Sequence, residues 1–128
     1  MKPWPFPRRT RILAVDDEVG FTRLLKLAAA HYDIRTENDP ARAIEAAKEF
    51  QPHLILLDRY MPGMSGDSLA RTLKEHPKLR DIPIAFITAT VPRAEMGGFA
   101  THLDGCPILA KPVSIDAIDE CVKACIGN

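Results

Sequence analysis

Four short apolar runs in this chain each end on residues that can do chemistry. Ile12–Val15 is followed by Asp16, Asp17 and Glu18, and His53–Leu57 by Asp58. Ile84–Ile87 is followed by Thr88, and Pro107–Ala110 by Lys111 and Pro112. Taken singly, such residues are ordinary: a carboxylate there is most often a solvated loop residue or helix cap, and a lysine a surface charge. Gathered at one place they need another account. Three crowded acids repel one another unless a cation neutralises them. Hard oxygen donors select magnesium or manganese over softer metals, and magnesium typically keeps waters and a phosphate oxygen in its shell. A metal with an open position can hold a phosphoryl oxygen while a neighbouring carboxylate attacks phosphorus, giving an acyl phosphate. A lysine ammonium and a threonine hydroxyl can take the remaining oxygens. Positioning and charge neutralisation supply most of the catalysis in phosphoryl transfer, so a small site suffices.

The pattern around these residues predicts how they meet. The four runs read as strands, with a weaker one at Tyr32–Thr36, and the unbroken apolar character of three of them suits a sheet covered on both faces. Helical spacing lies between them, in Phe21, Leu24, Leu25 and Ala28, in Ala43, Ile44 and Ala47, and in Leu69 and Leu73. Ile115, Ile118, Val122 and Cys125 repeat it near the C-terminus. Asp39 before Pro40 and Ser114 before the last helix are capping signals. Val91–His102 reads as a short or frayed helix, because Gly97 and Gly98 each cost about 1 kcal/mol relative to alanine. Five alternations of strand and helix predict an α/β fold with a parallel sheet and helices on both faces. In such sheets ligands bind beyond the C-terminal strand ends, where the acids, the hydroxyl and the lysine fall.

The 128 residues suit one core-bearing domain, expected over 11–128, behind a leader over 1–10 in which Pro3, Pro5 and Pro7 alternate with Trp4 and Phe6. Lys2, Arg8, Arg9 and Arg11 give the first eleven residues a charge of about +4 and leave about −4 on the rest. The 17 basic and 17 acidic side chains cancel, which argues against bulk attraction to nucleic acid or an anionic membrane. No apolar run approaches the roughly 20 residues of a membrane span, and no signal-peptide pattern opens the chain, so a cytoplasmic location is expected. Three cysteines match no zinc spacing and read as small buried core residues.

The segments Ile12-Leu13-Ala14-Val15-Asp16-Asp17-Glu18, Leu56-Leu57-Asp58, Met61-Pro62-Gly63-Met64-Ser65-Gly66, Ile87-Thr88-Ala89 and Lys111-Pro112 together resemble the receiver domain of two-component response regulators. The resemblance covers Arg11 to about Gly127 and implies the flavodoxin-like strand order 2-1-3-4-5. It implies Asp58 as phosphoacceptor and Asp17 as a direct magnesium ligand. Asp16 would act through water, and the Tyr60 backbone carbonyl would complete the protein's share. Lys111 matches the lysine that pairs with the acceptor and then the phosphoryl group. Thr88 matches the switch hydroxyl, and the bond before Pro112 is expected to be cis. Two features depart from the family pattern. Ile108 stands where a tyrosine or phenylalanine is usual, so slack behind Thr88 is expected to be taken up by residues 91–102. Arg59 and Tyr60 follow the acceptor at the mouth of the site, and with Thr90 are expected to tune phosphoryl lifetime. The function implied is a stand-alone receiver that accepts a phosphoryl group from a histidine kinase or histidine phosphotransfer protein and signals to a downstream protein. It would not turn over an external substrate, contact nucleic acid or enter a membrane. The alternative is a receiver-like interaction module that does not cycle through phosphorylation.

Overall fold

The computed structural model describes residues 9–89, 102–103 and 105–127. Five parallel strands form the main sheet: β1 (Arg11–Val15), β2 (Asp33–Glu37), β3 (Leu54–Asp58), β6 (Ile84–Thr88) and β8 (Cys106–Ala110). Their order is β2-β1-β3-β6-β8, the arrangement expected, and helices cover both faces. Two small additions escape the sequence pattern. The two-residue β7 (His102–Leu103) pairs antiparallel with β8 and extends the sheet, placing His102 in a strand rather than a helix. A separate ribbon joins β4 (Tyr60–Met61) to β5 (Met64–Ser65), with Gly63 supplying the positive φ of 81° that its turn requires. Residues 91–101, Thr90 and the leader up to Arg8 lie outside the described residues.

Alternation along the strands divides the interior in two. Leu13, Val15, Ile55, Leu57, Ile84 and Phe86 face α2 (Ala43–Phe50) and α3 (Gly66–Glu75), meeting Ala43, Ala46, Ala47, Leu69 and Leu73. Ile12, Ala14, Leu54, Leu56, Ala85 and Ile87 face α1 (Val19–Ala28) and α4 (Ile115–Val122), meeting Leu25, Ala29, Ile118 and Cys121. Every residue of β3 and β6 is buried, as the unbroken apolar runs imply, whereas β8 is only partly covered. Cys106 and Cys121 are buried and Cys125 half-buried.

Local chemistry sets the helix boundaries. Ser65 and Ser114 cap α3 and α4 by accepting from the N–H of Ser68 and Ala117, and Asp39 accepts from Ala41 with Pro40 in the first turn. Arg11, at the start of β1, donates to the carbonyls of Phe50 and Gln51, satisfying groups orphaned at the end of α2.

The α1 face differs from its sequence pattern. Leu24 and Ala28 are exposed, and the buried positions are Thr22, Leu25 and Ala29. Thr22 turns inward because its hydroxyl donates to the Val19 carbonyl and accepts from Asn38, so a polar residue takes a place that apolar counting cannot assign.

Gly66 is where α3 meets the site. A Cβ there would lie 2.2 Å from the Asp58 carbonyl oxygen and 2.8 Å from Arg59 Cα. Those contacts are backbone and cannot swing aside. Gly66→Ala should therefore cost about 2–3 kcal/mol in urea denaturation despite alanine's better helix propensity.

Candidate functional site

Parallel register brings the polar strand ends level. Val15 pairs with Leu57, Asp58 with Ile87, and Thr88 with Ala110, so Asp16, Asp58, Thr88 and Lys111 emerge at one edge of the sheet. Asp16 is fully buried, Asp58 is 4% exposed and Asp17 half-buried. Each offers an oxygen, and the three oxygens lie within 4.8 Å of one another. An open pocket of about 410 Å³ adjoins them, lined by Asp17, Glu18, Asp58, Tyr60, Pro62, Ala89 and Lys111.

The backbone around the acids is tied down. The Asp16 N–H donates to the Glu37 carbonyl at 3.1 Å. Asn38 Nδ2 donates to the Asp16 carbonyl at 2.8 Å and to Thr22 Oγ1 at 3.0 Å, joining the ends of β1 and β2 to the first turn of α1. Asp16 Oδ1 accepts from the Glu18 N–H at 2.9 Å, and Asp58 Oδ1 from the Tyr60 N–H at 3.2 Å.

Among the described residues, Lys111 is the cation that faces these acids. Its Nζ lies 2.7 Å from Asp16 Oδ2 and 3.8 Å from Asp58 Oδ2, and it pairs with Glu18 Oε1. Burial alone would lower its pKa, but Asp16, Glu18 and Asp58 overcome that and hold it above the ordinary value. The Lys111 N–H donates to the Thr88 carbonyl at 3.0 Å, and the peptide into Pro112 is cis, as expected. Asp58 is shifted the other way for an acid. Burial pushes its pKa up to about 6; the Tyr60 N–H opposes this, the Asp16 charge adds to it, and Lys111 opposes it. Among the described residues, the buried Asp16 Oδ2 atom has no well-aligned hydrogen bond, although the Lys111 ammonium lies 2.7 Å away. Three close carboxylate oxygens with one so placed fit a hard divalent cation.

The remaining expected residues fall as follows. Thr88 is fully buried at the end of β6. Ile108 is half-buried, pairs with Phe86 and packs against the core shared with α2 and α3. Tyr60 is 59% exposed and lines the pocket. Arg59 stands beside the mouth rather than in it: its guanidinium forks onto Asp67 of α3 at 3.1 and 3.2 Å, with the Tyr60 ring 5.2 Å away. Sequence reasoning assigned no role to Glu18, Asn38 or Phe21, whose ring centroid lies 4.6 Å from Lys111 Nζ. Asn38 follows β2, whose polar end could have been counted with the other four.

The family model for the response regulator receiver domain matches residues 12–123. Response regulator PleD of Caulobacter vibrioides is 46% identical over 81 residues, which are 62% of this chain and 18% of that protein. The match thus spans under a fifth of PleD's length. Polar-differentiation response regulator DivK of Brucella anthropi is 31% identical over 106 residues, covering 79% of this chain and 80% of DivK. Among solved structures, a sensor protein from Polaromonas sp. JS666 aligns with a TM-score of 0.78 at 23% identity, covering 93% of this chain and 97% of that one. Chemotaxis protein CheY4 of Vibrio cholerae aligns at 0.75 with 19% identity, covering 92% and 99%. The chain belongs to the response regulator receiver family of two-component systems. Receiver domains bind magnesium at an acidic pocket and interact with histidine kinases or phosphotransfer proteins. Among the described residues no helix is long and apolar enough to cross a membrane.

The raised Asp58 pKa has a definite sign in linkage. Between the unfolded value of 3.8 and the folded value of about 6, the native state binds more protons than the unfolded one. Asp58 ionisation therefore costs nothing below pH 4, and the cost grows as pH rises through 6. In metal-free protein at pH 7, Asp58→Asn should be more stable than wild type by about 1–2 kcal/mol in urea titrations. The gap should close at pH 4. Magnesium affinity, followed by calorimetry, should fall as pH drops below 6.

Proposed function

We propose that this receiver is a phosphorylation-operated switch in which Asp58 accepts a phosphoryl group from the phosphohistidine of a kinase or phosphotransfer protein. The observation that carries this is the convergence of Asp16, Asp17 and Asp58 within 4.8 Å, opposite Lys111. Magnesium or manganese would be held by Asp17 and Asp58, with Asp16 through water and the Tyr60 carbonyl. When bound, the ion supplies charge neutralisation at the phosphoryl oxygens. Asp17 borders the open pocket, whereas Asp16 is enclosed and engaged by Lys111 and the Glu18 N–H, which supports the direct role for Asp17.

In the transfer, an Asp58 carboxylate oxygen attacks phosphorus as the bond to the donor imidazole nitrogen breaks. Lys111 stands beside the acceptor to receive the new phosphoryl oxygens, and Thr88, at the end of the neighbouring strand, supplies a hydroxyl to bind one of them. Ile108, smaller than an aromatic ring and branched at Cβ, offers little rotation in response, so the conformational signal passes by another route to the downstream protein. Arg59, Tyr60 and Thr90 would tune phosphoryl lifetime. For Arg59 this would act through the backbone that its Asp67 pair holds, since its side chain is turned aside.

Incubation with magnesium and a small phosphodonor should add one phosphoryl group to the intact mass. The adduct should be absent without metal and absent in Asp58→Asn; a stable adduct on that variant would overturn the assignment. In magnesium titrations Asp17→Asn should lose at least tenfold more affinity than Asp16→Asn, about 1.4 kcal/mol. Equal losses would count against direct ligation by Asp17.

A further inference from the structure

Lys111 does not rest on the residue it is meant to serve. Its ammonium is 3.8 Å from Asp58 Oδ2, outside hydrogen-bond reach, and is drawn instead to Asp16 and Glu18. The Phe21 ring closes over the same nitrogen at 4.6 Å. Glu18 is the N-cap of α1 and Phe21 lies three residues on, so one helical turn delivers both to the ammonium. The Lys111 side chain is only 10% exposed, which leaves it little choice of partners.

We propose that Glu18 and Phe21 are positioning residues that hold the Lys111 ammonium off the acceptor and so weaken the site's grip on a phosphoryl group. This deepens the phosphoacceptor reading of Asp58 and rests on it. The argument follows from which holders persist once a cation is bound. Asp16 belongs to the carboxylate cluster, so a cation there shares its charge and loosens its hold on Lys111. Glu18 stands outside that cluster with its side chain 60% exposed, and its pull remains. A phosphoryl oxygen must then win the ammonium from Glu18 and from the ring face. A partly exposed ion pair of this kind corresponds to about a two- to fivefold effect, and the cation–π contact to about twofold.

The test uses the full chain with three variants, Glu18→Gln, Glu18→Asp and Phe21→Leu. Glu18→Asp keeps the negative charge near the metal but shortens the reach to Lys111 by one methylene. Beryllofluoride affinity, measured at magnesium saturating for each variant, should rise about two- to fivefold for both Glu18 variants and about twofold for Phe21→Leu. In metal-free protein the Lys111 side-chain ¹⁵N resonance should shift, and its protons exchange faster, in all three. An unchanged or weaker beryllofluoride affinity in Glu18→Gln overturns the proposal. So does a gain confined to Glu18→Gln, because that is the signature of the site's overall charge rather than of a hold on Lys111. Failure of the wild type to bind beryllofluoride would count against the phosphoacceptor reading itself. The metal-free ammonium resonance then decides separately whether Glu18 and Phe21 hold Lys111.

Discussion

Two carboxylates buried at adjacent strand ends share one ammonium, and much of the domain's polar architecture exists to keep them there. Like charges this close would separate if the backbone allowed it. It does not, because β1 and β3 are paired in register up to Val15 and Leu57, immediately before the two acids. Asn38 clamps the first acid from the side of β2, and the start of α3 is pressed against the carbonyl of the second. Held there, Asp58 is buried away from water and, to a lesser degree, faces the Asp16 charge, and its proton affinity is raised well above that of a free carboxylate. A group kept uncomfortable as an anion is one that gains from a bound cation.

The interior shows none of this tension. Its two halves are built from alternate residues of the same strands, one against α2 and α3, the other against α1 and α4. Local pattern and tertiary packing agree along β3 and β6, whereas they conflict at the C-terminal strand edge and on the α1 face, where Thr22 is buried. The conflict is confined to side chains that a small shift of charge can rearrange. The strands beneath stay fixed, because β3 and β6 are buried along their whole length.

The strands and the residues at their ends could be read from the chain because period and burial act locally. Leu54–Asp58 shows as an apolar run ended by an acid, whatever else the protein contains. The pairing of Glu18 with Lys111 spans 93 residues and has no periodic signature. Thr22 was hidden for a related reason: apolar counting assigns a hydroxyl to the surface, and only the Asn38 donor makes its burial tolerable. Arg59 could be placed beside the acceptor by position alone, but its partner Asp67, from the first turn of the following helix, could not be read from the pattern. The short β7 carries too few residues for any pattern to show.

The outer strands of the sheet govern how the molecule behaves among its own copies. A strand edge with free N–H and C=O groups is a template on which a second chain can pair. On one side the outermost strand is β2, where Asp33, Arg35 and Glu37 alternate along five residues. A second copy laid antiparallel there with Arg35 opposite Arg35 would set arginine against arginine and Asp33 against Glu37, like charges in every pair on that face. On the other side, among the described residues, the outermost strand is β7, two residues long and running against its neighbour, with Gly105 at a φ of 81° beside the reversal. It offers too short a ladder to seed an extended one. Among the described residues, one margin of the sheet thus carries alternating charge and the other a ladder of only two residue pairs.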